Sequence, residues 1–159
     1  MTQKPILVLG IGNLILKDEG FGVHVVQKMM DMSLPPDVEV VDGGTMGITL
    51  LYYIEGREKV IVIDVVKADS PPGTLYRFTD KDLGDYQGFL RSAHEIDFPY
   101  VLKMAEIQGN RPDQVVFIGI TPLLIEEGIG LSPVLEEKIP QVIDLVMKEV
   151  ENRDLPSSN

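Results

Sequence analysis

The sequence predicts an α/β fold with a twisted, mostly parallel sheet, helices on both faces of the sheet and one antiparallel edge strand. Two observations predict it. Short apolar runs alternate with helical patterns along the chain, as in repeated β–α units. One strand-like run, which follows a proline turn, has no crossover helix before it, and this indicates an antiparallel partner.

The first half of the chain contains three apolar runs separated by two helical patterns. The third run is the most apolar and is expected to be buried on both faces. In chain order the predicted elements are a strand at Pro5–Gly10, a helix at Glu19–Met32, a strand at Val38–Asp42, a helix at Thr45–Gly56 and a strand at Lys59–Val66.

The second half begins with the antiparallel strand and ends with a long amphipathic helix, which Pro140 should kink. The predicted elements are a strand at Ser70–Phe78, a polar surface loop at Thr79–Asp97, a helix at Phe98–Gly109, a strand at Gln114–Ile120 and a helix at Ser132–Asn152. We expect residues 1–152 to form a single domain and residues 153–159 to form a flexible tail.

Composition limits the function classes. The chain has 159 residues, a size that fits one domain, and its hydrophobic content of 44% is enough for a core. A net charge of −11 repels nucleic acid and anionic membranes, and the absence of cysteine excludes thiolate chemistry. A strand-like run begins within five residues of the start, and no apolar run could span a bilayer. We therefore expect a cytoplasmic protein, with a monomer as the default.

The turn after the first strand begins like a dinucleotide-binding loop. Gly10 and Gly12 match the first two glycines of that fingerprint, but Ile15 stands where the third should be. Asp18 and Glu19 then place negative charge where a pyrophosphate would lie. They could be ordinary helix-capping acids, or they could face a cation.

Further carboxylates stand at the ends of the next two strands, where sites gather in parallel sheets. Asp64 interrupts a strongly apolar strand, where an ionised carboxylate is costly unless it is hydrogen-bonded or meets a cation. Asp42 precedes two glycines, which suits either a ligand-binding turn or an ordinary one.

The chain has two histidines. His24 lies in the first amphipathic helix, five residues from Glu19, and is expected to be a surface or partly packed residue. His94 lies between Ser92 and Glu95, which form a capping-box pattern, so it is expected in the first turn of a helix.

Glu19, Asp64 and His94 together offer two carboxylates and an imidazole. This donor set suits a divalent transition ion with open coordination positions, although three separate elements would have to supply it. Neither a nucleophile-elbow motif nor a phosphate-binding loop motif is present.

The chain resembles the nickel–iron hydrogenase maturation endopeptidases from about Ile6 to Val150. The resemblance lies in an ordered set of segments: LGIGNLILKDEGFGVHVV, VVDGGTMGITLL, VIVIDVV, PPGTLYRF, SAHEIDFPYVL and GITP…GIGLSPVL. It implies a three-layer α/β/α sandwich around a five-stranded sheet. It also implies removal of a C-terminal extension from the precursor of the hydrogenase large subunit, after nickel has entered that precursor.

The family's metal-binding positions fall on Glu19, Asp64 and His94, whereas His24 falls on no functional position. The resemblance thus implies that the precursor supplies the nickel and that the isolated protein holds little or no metal. Another divalent ion could replace it in vitro. For hydrolysis, either the ion activates water or the carbonyl, or it serves recognition alone while Asp42 or Asp18 assists water. The alternatives are a Rossmann-like nucleotide-binding protein and a non-catalytic chaperone of the precursor.

Overall fold

A computed structural model describes residues 3–82 and 98–152. Its five strands form one sheet in the order β2-β1-β3-β5-β4. The first three pairings in that order are parallel, and β4 pairs antiparallel with β5 at the edge, as the sequence predicts. The strands are β1 at Ile6–Ile11, β2 at Val38–Gly44, β3 at Lys59–Val65, β4 at Leu75–Thr79 and β5 at Gln114–Ile120.

Helices connect the parallel strands and cover the sheet. They are α1 at Phe21–Met29, α2 at Leu50–Ile54, α3 at Phe98–Ile107, α4 at Pro133–Glu136 and α5 at Ile139–Glu151. Short 3₁₀ turns occupy Lys17–Gly20, Gly47–Thr49 and Asp80–Asp82. No helix among the described ranges is long and apolar enough to cross a bilayer.

The sheet separates two hydrophobic cores, because successive side chains of a strand point to opposite faces. In β1, Ile6 and Val8 join one core with α1, α4 and α5, whereas Leu7 and Leu9 join the other with α2 and α3. The fold is therefore the α/β/α sandwich that the sequence predicts.

Three predicted helices differ from the observed ones. The helix predicted at Thr45–Gly56 covers only Leu50–Ile54, and a 3₁₀ turn at Gly47–Thr49 precedes it. The last helix is divided into α4 and α5, and Pro140 lies in the first turn of α5, where its missing N–H costs no helical hydrogen bond. The first helix begins at Phe21 instead of Glu19, because a 3₁₀ turn precedes it. The capping box around His94 and the tail at 153–159 lie outside the described residues.

An ion-pair network around the buried Glu149 ties α5 to the first residue of β3 and to β4. Lys59 Nζ donates to Glu149 Oε1 at 3.2 Å and to the Glu149 carbonyl at 2.7 Å. Arg77 Nε donates to Glu149 Oε2 at 2.6 Å. Burial raises the pKa of the Glu149 carboxyl, but hydrogen bonds from Arg77 and Lys59 outweigh burial and leave that pKa below 4.5.

This network predicts an acid-sensitive contribution to stability. The pKa of Glu149 is lower in the folded chain than in the unfolded chain. The ionised carboxylate therefore stabilises the fold fully at pH values above its unfolded-state pKa, and this stabilisation is lost as the pH falls through its folded-state pKa. Glu149→Gln should reduce the free energy of unfolding by about 2 kcal/mol at neutral pH and by much less in acid. Urea unfolding followed by circular dichroism measures the difference.

Glu151→Gln is the control for this prediction, because Glu151 is exposed on the same helix. It should leave stability nearly unchanged at both pH values. A Glu149→Gln deficit that stays constant from neutral to acid pH would contradict the role assigned to the ionised carboxylate.

Candidate functional site

The connections that follow β1 and β2 lie on opposite faces of the sheet. The connection from β1 to β2 passes through α1 on one face, and the connection from β2 to β3 passes through α2 on the other face. The crossovers therefore diverge between β1 and β3, which is the position where open α/β sheets bind ligands. We refer to this position as the β1–β3 crevice.

Glu19 reaches this crevice from the 3₁₀ turn Lys17–Gly20, which contacts β3. Its side chain is completely buried. The turn can fold back because Gly12 has no side chain and a φ of 153°, where a Cβ would lie 2.1 Å from the Glu19 carbonyl oxygen. Glycine at position 12 thus positions Glu19.

In the dinucleotide-binding fingerprint, the third glycine lets the helix pack closely against the strands. Here Gly22 allows that close packing. A Cβ on Gly22 would lie 2.2 Å from the Ile63 carbonyl oxygen, and one on Gly10 would lie 2.2 Å from the Gly22 carbonyl oxygen. Helix α1 therefore lies directly against β1 and β3, although Ile15 replaces the expected glycine.

Asp64 reaches the crevice from β3, near the carboxyl end of the strand. It is 7% exposed, and its Oδ1 accepts a hydrogen bond from the Val65 N–H at 2.8 Å. Val60 and Val62, on the same side of the strand, pack toward α2 and α3, so Asp64 lies on that face of the sheet.

Two of the three predicted metal ligands, Glu19 and Asp64, are thus buried carboxylates, and the turn that carries Glu19 contacts the strand that carries Asp64. His94 lies outside the described residues. Within residues 3–82 and 98–152, no group of three or more metal-ligating side chains is assembled. The two carboxylates offer hard, anionic oxygen donors, and an imidazole would complete a set suited to a transition ion.

Asp42 stands at the carboxyl end of β2, next to Gly10 of β1, and is half-buried. Val38 and Val40, on the same side of β2, pack in the core with α1, so strand alternation places Asp42 on that face. A register shift follows at once, with Gly44 at a φ of 43°. Asp42 and Asp64 therefore approach the carboxyl edge from opposite faces of the sheet.

Asp18 has a set of partners that the sequence does not reveal. Its buried carboxylate accepts hydrogen bonds from the N–H groups of Leu123, Leu124 and Ser132, at 3.0, 2.9 and 2.7 Å. The Ser132 hydroxyl donates to it as well, at 2.7 Å. Asp18 does not cap α1, whose N-cap is Gly20, but anchors the segment after β5.

Sequence reasoning missed Ser132 as a partner of this site. A serine directly before Pro133 has the pattern of a helix N-cap, and Ser132 does occupy the N-cap position of α4. Its side chain makes no capping bond there, because the hydroxyl donates to Asp18. His24 is partly packed in α1, as predicted, with Nε2 buried and without a partner among the described residues.

Comparison with known proteins identifies the family. The sequence model described as "Hydrogenase maturation protease" matches residues 23–149, which is most of the chain. The chain belongs to the hydrogenase maturation protease family. As a hydrogenase maturation protease, it is a hydrolase of peptide bonds.

Individual relatives agree with this assignment. The "Hydrogenase expression/formation protein HupD" of Rhodobacter capsulatus is 38% identical over 92% of this chain and 72% of its own length. The "Hydrogenase 2 maturation protease" of Escherichia coli is 33% identical over 89% of this chain and 88% of its own.

A solved structure supports the fold of this maturation protease. The hydrogenase maturating endopeptidase HybD from E. coli superposes with a TM-score of 0.85 at 32% identity, and the match covers 92% of this chain and 91% of that one. Glu19 and Asp64 therefore lie in the fold of the hydrogenase maturation proteases.

Proposed function

We propose that this protease removes the C-terminal extension from the precursor of a hydrogenase large subunit after nickel insertion. In this proposal Glu19, Asp64 and His94 bind open coordination positions of the nickel that the precursor carries. The nickel is part of the substrate and marks a precursor that is ready for processing.

The observation that supports the proposal most directly is the pair of buried carboxylates at the β1–β3 crevice. Ionised carboxylates are costly to bury, and they are retained at positions where they are hydrogen-bonded or meet a cation. Glu19 and Asp64 come from different elements, yet the turn carrying one contacts the strand carrying the other. An incoming cation gives both of them a common partner.

Incubation with purified precursor tests this proposal. The expected result is loss of the extension from nickel-loaded precursor, measured by mass spectrometry, and no change in nickel-free precursor. An unchanged mass in the nickel-loaded reaction would indicate a chaperone of the precursor. Equal cleavage with and without nickel would contradict the metal-recognition part alone.

We further propose that Asp42 assists the attacking water while nickel serves recognition. Both oxygens of Asp18 already accept hydrogen bonds, so Asp42 is the better candidate for a general base. A carboxylate bound to a cation is a weak base, which also favours a residue outside the metal-binding set.

Asp42→Asn should therefore slow cleavage of nickel-loaded precursor by about 100-fold, the usual scale of general-base catalysis, while binding of the precursor stays intact. Single-turnover kinetics measures the first quantity, and co-purification of the variant with precursor measures the second. The exposed Asp31, just after α1, provides the control Asp31→Asn, which should behave as wild type. Cleavage by Asp42→Asn at the normal rate would exclude Asp42 as the base.

A further inference from the structure

The segment that follows β5 lies directly beside the turn that carries Glu19. The Gly128 N–H donates to the Ile15 carbonyl at 2.9 Å, and the Lys17 N–H donates to the Gly128 carbonyl at 3.1 Å. A parallel bridge joins Leu16 to Gly128. Together with the Asp18 hydrogen bonds, these contacts join two loops into one surface beside the turn that carries Glu19.

This surface exposes a group of large aliphatic side chains, which we call the apolar rim. Ile129 is 80% exposed and Ile15 is 61% exposed. The members of the rim are Ile15, Leu123, Leu124, Ile125 and Ile129. Single exposed aliphatic residues are common, but a contiguous group beside a candidate site marks an interaction surface.

The charges around the rim are mainly acidic. Glu126 and Glu127 are exposed between Ile125 and Gly128. Lys17 Nζ is 3.9 Å from Glu126 Oε2 and offsets one of these carboxylates. Because the whole chain carries a formal charge of −11, an acidic partner would be repelled from this surface.

We propose that the apolar rim binds a segment of the precursor that combines aliphatic side chains with a net positive charge and lies next to the cleaved peptide bond. This inference rests on the proposed function and assigns the surface that selects the substrate. The continuity of the rim with the Glu19 turn places such a segment beside the crevice. Asp18 is a positioning residue for this surface, because its carboxylate fixes the backbone of Leu123 and Leu124.

The test compares two exposed isoleucines, one after the carboxyl end of β5 and one before its amino end. Ile129→Ser lies in the rim, whereas Ile107→Ser is a control at the end of α3, where Ile107 is 67% exposed. With nickel-loaded precursor as substrate, Ile129→Ser should raise KM about tenfold with little change in kcat, and Ile107→Ser should change neither. Glu127→Lys should raise KM at low ionic strength, and added salt should reduce the difference.

The outcomes separate this inference from the proposed function. If wild type cleaves the precursor but both serine variants show the wild-type KM, the rim assignment is overturned and the proposed function stands. A lower KM for Glu127→Lys would overturn the positive charge assigned to the segment. If wild type does not process the nickel-loaded precursor, both proposals are wrong.

Discussion

Asp64→Asn is expected to reduce cleavage of nickel-loaded precursor by about 100-fold or more. Even residues that only support a metal ligand change metal affinity or activity by about 10- to 100-fold, so loss of the charge of a proposed ligand should reach at least the upper end. Asparagine keeps the shape of Asp64 but replaces an anionic oxygen with a neutral amide. Glu19→Gln should have a similar effect for the same reason. Mass spectrometry of the processed precursor over time measures both.

Matched variants separate metal recognition from general damage. Asp69→Asn and Glu106→Gln make the same chemical changes at exposed positions and should leave the rate unchanged. Co-purification adds a readout of binding: Asp64→Asn should lose its preference for nickel-loaded over nickel-free precursor. Normal processing by folded Asp64→Asn and Glu19→Gln would rule out the proposed metal-binding pair.

Asp18→Ala is expected to lower the free energy of unfolding by about 2 kcal/mol, because it leaves the partly buried donors of Leu123, Leu124 and Ser132 without their buried acceptor. Asp18→Asn should lower the free energy of unfolding by less. One side-chain oxygen can still accept the three bonds now made to Oδ2, while the amide NH₂ opposes only the Ser132 N–H. Urea unfolding of the three proteins should show stability decreasing from wild type to Asp18→Asn to Asp18→Ala.

The same variants distinguish a positioning role for Asp18 from a catalytic one. Ser132→Ala removes one hydrogen-bond donor and leaves the Asp18 carboxylate in place. It should lower the free energy of unfolding by about 1 kcal/mol and raise KM modestly. If Asp18 acted as the base, Asp18→Asn would abolish cleavage at nearly wild-type stability while Ser132→Ala cleaved normally. That pattern would contradict the role inferred from the hydrogen bonds.

Local patterns predicted most of the fold. Strands such as Lys59–Val65 are short apolar runs, and the buried stripe of the last helix repeats every three or four residues, so both can be recognised from neighbouring residues alone. The expectation that Pro140 kinks one continuous helix is wrong. It begins a new helix, because the chain breaks after α4 and a proline fits the first turn of the next helix.

The amino-acid sequence by itself determined the order and type of the elements, the mostly parallel sheet and the candidates Asp64 and Glu19. A carboxylate in an apolar strand stands out because burial of a charge is costly wherever the strand lies. Only the tertiary structure decided which partners these candidates have. Asp18 meets Leu123 across 105 residues, and no local periodicity encodes such a contact.

The tertiary structure also decided that Asp42 and Asp64 reach the carboxyl edge from opposite faces. The face of a side chain depends on strand alternation together with the crossovers that place α1 and α2 on different sides of the sheet. The apolar rim has the same origin, because Ile15 and Ile129 become neighbours only when the loops after β1 and β5 meet. A site assembled from distant segments is fixed by the sheet order, which single segments do not specify.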